Sequence, residues 1–111
     1  MDTFTAIAEP TRRTILERLA VHGNMSATDI YRGFTSSPPA ISQHLKVLRE
    51  AKLVRVEKRK QQRIYYINPE PMKELEKWVH QFAANLENQY QRLDQILAFE
   101  KQRLLNAKEK E

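Results

Sequence analysis

Four polar side chains in the middle of the chain have the types and spacing needed to contact DNA. Ser42, Gln43, Lys46 and Arg49 fall on one side of a helical stretch, and no acidic residue joins them before Glu50. A glutamine amide can bond adenine through two hydrogen bonds, whereas lysine and arginine neutralise phosphates. Ser42 and Gln43 are therefore candidates for base-edge contacts, and Lys46 and Arg49 are candidates for contacts with the phosphate backbone.

The basic charge of the chain is concentrated around these four residues. Residues 44–63 contain eight Lys or Arg against two Glu, a net of +6, while the whole chain carries +5. This local excess favours a polyanionic partner more strongly than the total charge does. The alternative is a solvated charged face that binds nothing.

The composition excludes several function classes. The 111 residues include no cysteine, which excludes disulfides, thiol nucleophiles and thiolate metal sites and fits a reducing, cytoplasmic location. Only two residues are glycine, so Gly-rich phosphate loops are absent. We expect no signal peptide and no membrane span. Because no nucleophile, base and metal ligands converge, we predict no enzyme activity, cofactor or membrane partner.

The elements that position these residues are predicted to be helices followed by a hairpin. One helix should run from an Asp2 cap to Ala8, a second from Pro10 to about His22, and a third after a capping sequence at Ser26. The fourth, over residues 38–51, begins after Ser37 and buries Ile41, Leu45 and Leu48.

Residues 54–67 alternate like two strands around a basic tip and predict a two-stranded hairpin. Helix, helix, turn, helix and hairpin is the order of a winged helix-turn-helix. The fold class is therefore mainly α with a small β-hairpin wing. The basic residues of the wing would lie along the DNA backbone or minor groove, and they are Lys58, Arg59, Lys60 and Arg63.

A long helix is predicted after the wing, with Asn68 as its cap and Pro69 in its first turn. No breaker occurs from Met72 onward, so the helix could reach about 60 Å, and its apolar residues repeat every three or four positions. A helix of that length cannot bury all of these apolar residues on one small core, so we expect it to pack on a second chain. The alternative is a helix that folds back on its own domain. We divide the chain into a DNA-binding domain, 1–68, and a dimerisation helix, 69–111, whose tail beyond Glu100 frays.

Two segments resemble the ArsR-type repressor family. Residues 42–54 are similar to its recognition-helix pattern S-x-H-L-x-x-L-x-x-A-G-L-V, and residues 8–16 are similar to the opening of its second helix. The resemblance covers roughly residues 3–80. It implies a homodimer, built from the first and last helices, that binds an inverted-repeat operator and represses transcription. It also implies that His44 either contacts a phosphate or serves helix packing.

The predicted site residues follow from the pattern and the resemblance together. The DNA-binding residues are Ser37, Pro39, Ser42, Gln43, His44, Lys46, Arg49, Lys58, Arg59, Lys60 and Arg63. The dimer-interface residues are Phe4, Ile7, Leu75, Val79, Phe82, Leu86 and Leu93.

The chain departs from the family pattern at three places. Lys52 stands where the family has Gly, so Lys52 should adopt a left-handed backbone conformation. The wing lacks the usual Gly-Arg pair, which leaves its turn geometry open. Ser26 and Thr28 occupy the two Cys positions of the metal-sensing motif, and His80 is the only His of the last helix. We therefore predict the cysteine-free branch, with no metal and an unknown small-molecule or protein effector, if any.

A second hypothesis is a protein-interaction module in which the long C-terminal helix is the working surface. The winged domain would then be a docking scaffold. A scaffold has no need for a net charge of +6 in residues 44–63, so the charge distribution favours the DNA-binding hypothesis.

Overall fold

A computed structural model of the chain describes residues 1–109. The described elements are α1 (Thr3–Ala8), α2 (Pro10–His22), β1 (Met25–Ser26), α3 (Ala27–Arg32), α4 (Pro38–Glu50), β2 (Val54–Arg59), β3 (Gln62–Ile67) and α5 (Pro69–Glu109). The first compact unit is Met1–Leu75, and the second begins at Glu76. None of the helices in residues 1–109 has the length and apolar character needed to cross a membrane. The mainly α winged helix-turn-helix predicted from the sequence is confirmed.

The first four helices begin at residues whose side chains accept a hydrogen bond from the first turn, as N-caps do. Asp2 accepts from the Thr5 N–H at 2.7 Å, and Ser26 accepts from the Asp29 N–H at 3.1 Å. α2 begins after Glu9, whose carboxylate accepts from the Arg12 N–H at 2.9 Å. The caps predicted at Asp2, Ser26 and Ser37 are confirmed.

The sheet has three antiparallel strands in the order β1-β3-β2, not the two that we predicted. β2 and β3 form the expected hairpin, with Val54 opposite Ile67 and Arg59 opposite Gln62. β1 adds to the free edge of β3, where Met25 pairs with Tyr65. Because β1 has only two residues, it carries no alternation from which it could have been predicted.

The end of α4 confirms the predicted left-handed conformation of Lys52, whose φ is 63°. The Lys52 N–H donates to the Arg49 carbonyl and the Leu53 N–H donates to the Leu48 carbonyl, both at 3.0 Å. This pair of bonds is the Schellman motif, and the buried side chains of Leu53 and Leu48 belong to the same apolar core. α4 therefore ends in the usual glycine geometry with a lysine in the glycine position.

The wing turn consists of two residues, Lys60 and Gln61, between β2 and β3. Lys60 has a φ of 56°, and Gln61 is not among the residues with positive φ. Positive φ at only the first of two loop residues is the pattern of a type II′ turn, which fits the twist of the strands. The hairpin thus closes without the glycine that such a turn favours.

One apolar core holds the elements of the first unit together. Its buried residues come from α1, α2, α3, α4, β2 and β3 and from the turn after α4, and they are Ala6, Ile15, Leu16, Leu19, Ile30, Ile41, Leu45, Leu48, Leu53, Val54 and Tyr65. Met72, at the end of the first turn of α5, is partly buried and packs against this core. The core therefore fixes α4 and the wing relative to each other.

α5 contains 41 residues, a length of about 60 Å, and no residue of it is buried. The prediction that Asn68 caps it is wrong. The Asn68 amide instead donates to the Lys52 carbonyl at 2.8 Å, and its buried Oδ1 accepts no hydrogen bond. The tail that we expected to fray is helical as far as Glu109, and residues 110–111 lie outside the described part of the chain.

Candidate nucleic-acid interface

The two faces of α4 differ in both burial and charge. Ile41, Leu45 and Leu48 are at most 1% exposed and pack on the core between α2 and β2. The opposite face is exposed, and it presents Pro39, Ser42, Gln43, Lys46 and Arg49. Since these positions follow one another at spacings of three, one, three and three residues, they share one side of the helix. The core contact therefore holds the predicted base-reading side chains toward solvent.

Strand alternation divides the basic residues of the wing between the two faces of the sheet. Lys58 pairs with Arg63 across the strands, on the same face as Val56 and Tyr65. Arg59 lies on the other face, where its guanidinium is 3.6 Å from the Glu57 carboxylate. The four predicted wing contacts therefore do not form a single surface, and Lys60 lies in the turn between the two groups.

An open groove of about 340 Å³ brings α4 and the wing together. The residues that line it are Pro39, Ser42, Gln43, Lys46, Arg49, Arg63 and Tyr65. No carboxylate is among them. Within residues 1–109, the three cations of the groove make no ion pair and no side-chain hydrogen bond, in contrast to Arg59. The groove therefore concentrates free positive charge beside Ser42 and Gln43.

Tyr65 lines this surface but is not among the DNA contacts predicted from the sequence. Tyr65 is 5% exposed and belongs to the core, whereas the β-forming sequence 63–67 predicts only that it lies in a strand. The available signal was its spacing of two residues from Arg63, because strand residues two apart face the same side.

His44 and Ser37 are not part of the groove lining. The His44 ring is half-buried between α4 and α2, with Nδ1 3.4 Å from the Arg12 guanidinium and 3.7 Å from the Glu9 carboxylate. Ser37 lies at the start of α4, where its hydroxyl accepts from the Ala40 N–H at 3.4 Å. The structure thus separates these two predicted DNA contacts from Ser42 and Gln43.

Arg12 links three helices of the first unit. Its Nε donates to the Ala6 carbonyl at 2.6 Å and its Nη2 donates to the Thr5 carbonyl at 3.2 Å, at the end of α1. Its Nη1 lies against His44 of α4. Partial burial raises the pKa of the Glu9 carboxyl, but the Arg12 N–H and the charge of His44 outweigh this effect, so the pKa is lowered overall. We did not anticipate this cluster, because its members are far apart in sequence.

The positions aligned with the metal-sensing motif have other contacts. The buried Ser26 hydroxyl caps α3, and Thr28 is exposed. His80 faces Glu76 at 3.5 Å on the surface of α5. Residues 1–109 contain no cluster of three or more His, Cys, Asp or Glu side chains that could hold a metal ion.

The predicted dimer residues fall in both units. In the first unit, Phe4 is 48% exposed, and Ile7 packs partly against the core. In the second unit, an apolar stripe along α5 remains half-exposed, and it consists of Trp78, Val79, Phe82, Leu86, Tyr90, Leu93, Ile96 and Leu97. Trp78 and Phe82 stack with ring centroids 5.2 Å apart.

Comparison with known proteins identifies the family. A family model described as "Helix-turn-helix domain" matches residues 7–57. Transcriptional repressor SdpR of Bacillus subtilis is 39% identical over 78% of this chain and 96% of its own length. HTH-type transcriptional regulator Rv2034 of Mycobacterium tuberculosis is 44% identical over 60% of this chain, and the match spans 61% of that protein's length.

A solved structure, described as an ArsR family transcriptional regulator, has 28% sequence identity and a TM-score of 0.69. The match covers 76% of this chain and 86% of that one. The shared fold, the recognition-helix sequence and the near full-length match to SdpR agree with the geometry of the groove. The chain belongs to the ArsR-type family of winged helix-turn-helix regulators and is a DNA-binding transcriptional regulator.

Proposed function

We propose that this protein is a homodimeric repressor that binds an inverted-repeat operator and has no metal sensor site. One observation carries the proposal: α4 and β3 line an exposed groove that contains three unpaired cations and no carboxylate. An exposed helix with such neighbours suits the major groove, because its side chains can reach base edges while adjacent cations contact phosphates.

In this proposal each residue of the interface has a defined task. Ser42 and Gln43, near the start of α4, read base edges, and Gln43 has the amide needed for a bidentate bond to adenine. Lys46, Arg49 and Arg63 neutralise phosphates beside them. The other predicted contacts secure the flanking backbone, and these are Ser37, Pro39, His44, Lys58, Arg59 and Lys60.

The apolar stripe of α5 supports the homodimer. Its residues repeat every three or four positions, as the contact seam of paired helices does, yet half of their surface faces solvent. A continuous apolar stripe of this kind marks an interaction surface. We assign Phe4, Ile7 and Leu75 to the same interface as Val79, Phe82, Leu86 and Leu93. The two copies of α4 would then lie about 34–36 Å apart, one DNA turn, or a multiple of it.

Repression is supported by the name of the B. subtilis relative, a transcriptional repressor. The absence of a metal sensor is supported by the chemistry of Ser26 and Thr28, since neutral hydroxyls are poor ligands for soft metal ions. The effector, if there is one, would be a small molecule or a protein. Because the proposed partner is operator DNA, the protein would act in the cytoplasm.

The apolar stripe of α5 would also serve as the binding surface of a protein-interaction module, which is our second hypothesis. The free cations of the groove argue against it, because a docking scaffold does not need them. We therefore retain the repressor as the proposed function.

Binding to duplex DNA against salt concentration tests this proposal. If the three groove cations of each of two protomers contact one phosphate each, they alone give a slope of log K against log salt of about −5, or about a thousandfold loss of affinity between about 50 and 200 mM salt. The variant K46Q/R49Q should have a clearly shallower slope. The control K101Q/K108Q, with both changes on α5, should match the wild type. Binding of the wild type that does not respond to salt would contradict the proposal.

A further inference from the structure

Tyr65 combines two properties that seldom occur together. Its side chain is 95% buried in the core, yet it lines the open groove between α4 and β3. No side chain or backbone group within residues 1–109 hydrogen-bonds its hydroxyl, and this oxygen is not among the fully enclosed polar atoms that lack a partner. The neighbouring Tyr66 differs, because its hydroxyl donates to the Glu57 carboxylate at 3.5 Å on the other face of the sheet. Tyr65 thus lines the groove and has a hydroxyl without a hydrogen-bond partner among the described residues.

The groove that Tyr65 lines has the chemistry of an anion site. Arg63 lies two residues earlier on the same face of β3, and Lys46 and Arg49 face it from α4. None of these three cations has a counter-ion within the described residues. Unpaired cations beside a neutral O–H donor match a phosphate, whose oxygens accept hydrogen bonds from both.

We propose that Tyr65 and Arg63 hold one phosphodiester of the DNA backbone between them, with the Tyr65 hydroxyl donating to a phosphate oxygen. This inference rests on the proposed DNA-binding function and adds a contact that the sequence pattern did not indicate. The tyrosine ring is fixed by core packing, so its hydroxyl loses little freedom when it binds. A phosphate held at this point would set the depth of α4 in the major groove, and so the position of Gln43 on the base edges.

The test is binding of Tyr65→Phe to a random-sequence 24-base-pair duplex, which needs no knowledge of the operator. Loss of one hydrogen bond to a charged group should weaken binding about tenfold per protomer, equivalent to about 1.4 kcal/mol, and so about a hundredfold for a dimer in which both protomers make the contact. The salt slope should stay unchanged, since tyrosine carries no charge. The matched control is Tyr66→Phe, which should bind like the wild type. Arg63→Gln should reduce the slope by about 0.9 per protomer, and Arg59→Gln, on the opposite face, should reduce it less.

Three results would overturn the inference. The first is wild-type affinity of Tyr65→Phe, and the second is equal weakening by Tyr66→Phe. The third is a Tyr65→Phe/Arg63→Gln double variant whose fold-loss of DNA affinity equals the product of the two single losses. Two residues that hold the same phosphate should show a combined loss smaller than that product. In all three cases the wild type would still bind DNA with salt dependence, so the proposed function would stand. A wild type without salt-dependent binding would instead reject both.

A measurement on the wild type covers the case in which Tyr65→Phe fails to fold. The ¹³Cζ resonance of Tyr65 reports the state of its hydroxyl. It should shift when the duplex is added, whereas that of Tyr66 should not. An unmoved Tyr65 resonance at saturating duplex would overturn the inference.

Discussion

Replacement of Arg12 by glutamine should destabilise the first unit strongly. The Arg12 guanidinium donates to the Ala6 carbonyl at 2.6 Å and to the Thr5 carbonyl at 3.2 Å. These carbonyls lie in the last turns of α1, where a helix has no internal partners for its C=O groups. The guanidinium also lies 3.4 Å from Nδ1 of His44, so one side chain links α1, α2 and α4.

The size of the effect follows from these contacts. A hydrogen bond to a charged group contributes about 1.5–3 kcal/mol. Arg12 is only half-buried, so we take about 1 kcal/mol for each of the two carbonyl bonds, with a smaller contribution from His44. The free energy of unfolding should therefore fall by about 2–3 kcal/mol. For a unit of this size, that loss lowers Tm by about 10–20 °C.

Thermal and urea unfolding, followed by circular dichroism at one fixed protein concentration, would measure this loss. Fixed concentration matters because association of two chains would itself raise stability. The matched control is Arg13→Gln, since Arg13 is the next residue on α2, is exposed and makes no side-chain bond within residues 1–109. It should change the free energy of unfolding by less than about 0.5 kcal/mol. Equal stability of the two variants would refute the role assigned to Arg12.

Four further predictions concern other parts of the chain. Lys52→Gly should raise the free energy of unfolding by about 0.5–1 kcal/mol in urea, because glycine adopts the left-handed conformation without steric cost, whereas Lys52→Ala should give no gain. Glu9 has a lowered pKa in the folded protein, so its stabilisation is present above its ordinary value of 4.5 and is lost as the pH falls through the folded pKa. The difference in Tm between the wild type and Glu9→Gln should therefore shrink from pH 6 to pH 3, and a constant difference would contradict this. Gln43→Ala should relax base preference at one operator position with an almost unchanged salt slope, and an equal loss of affinity for all sequences would show that Gln43 does not read a base. Leu86→Glu places a charge in the apolar stripe of α5 and should yield monomers in sedimentation, so a variant that stays dimeric would show that the interface lies elsewhere.

Features that depend on neighbouring residues could be predicted from the sequence. The caps at Asp2, Ser26 and Ser37 each involve a bond to a residue three positions later, so their residue types suffice to locate them. The two faces of α4 follow in the same way from the period of the helix, and the left-handed Lys52 was expected because the ArsR-type pattern has Gly at that position. Local spacing and residue type thus determined the order of the elements and the exposed side of the proposed recognition helix.

Contacts between distant parts of the chain were decided only by the tertiary structure. His44 meets Arg12 across 32 residues of sequence, and the Asn68 amide binds a carbonyl 16 residues away instead of capping α5. Tyr65 lies beside the cations of α4 because the hairpin register and the packed core bring β3 there. Such contacts depend on which elements the core brings together, and no local period or residue type contains that information. Residue types and spacing therefore identify the side chains that could contact DNA, whereas the packing of the core brings a subset of them into one groove.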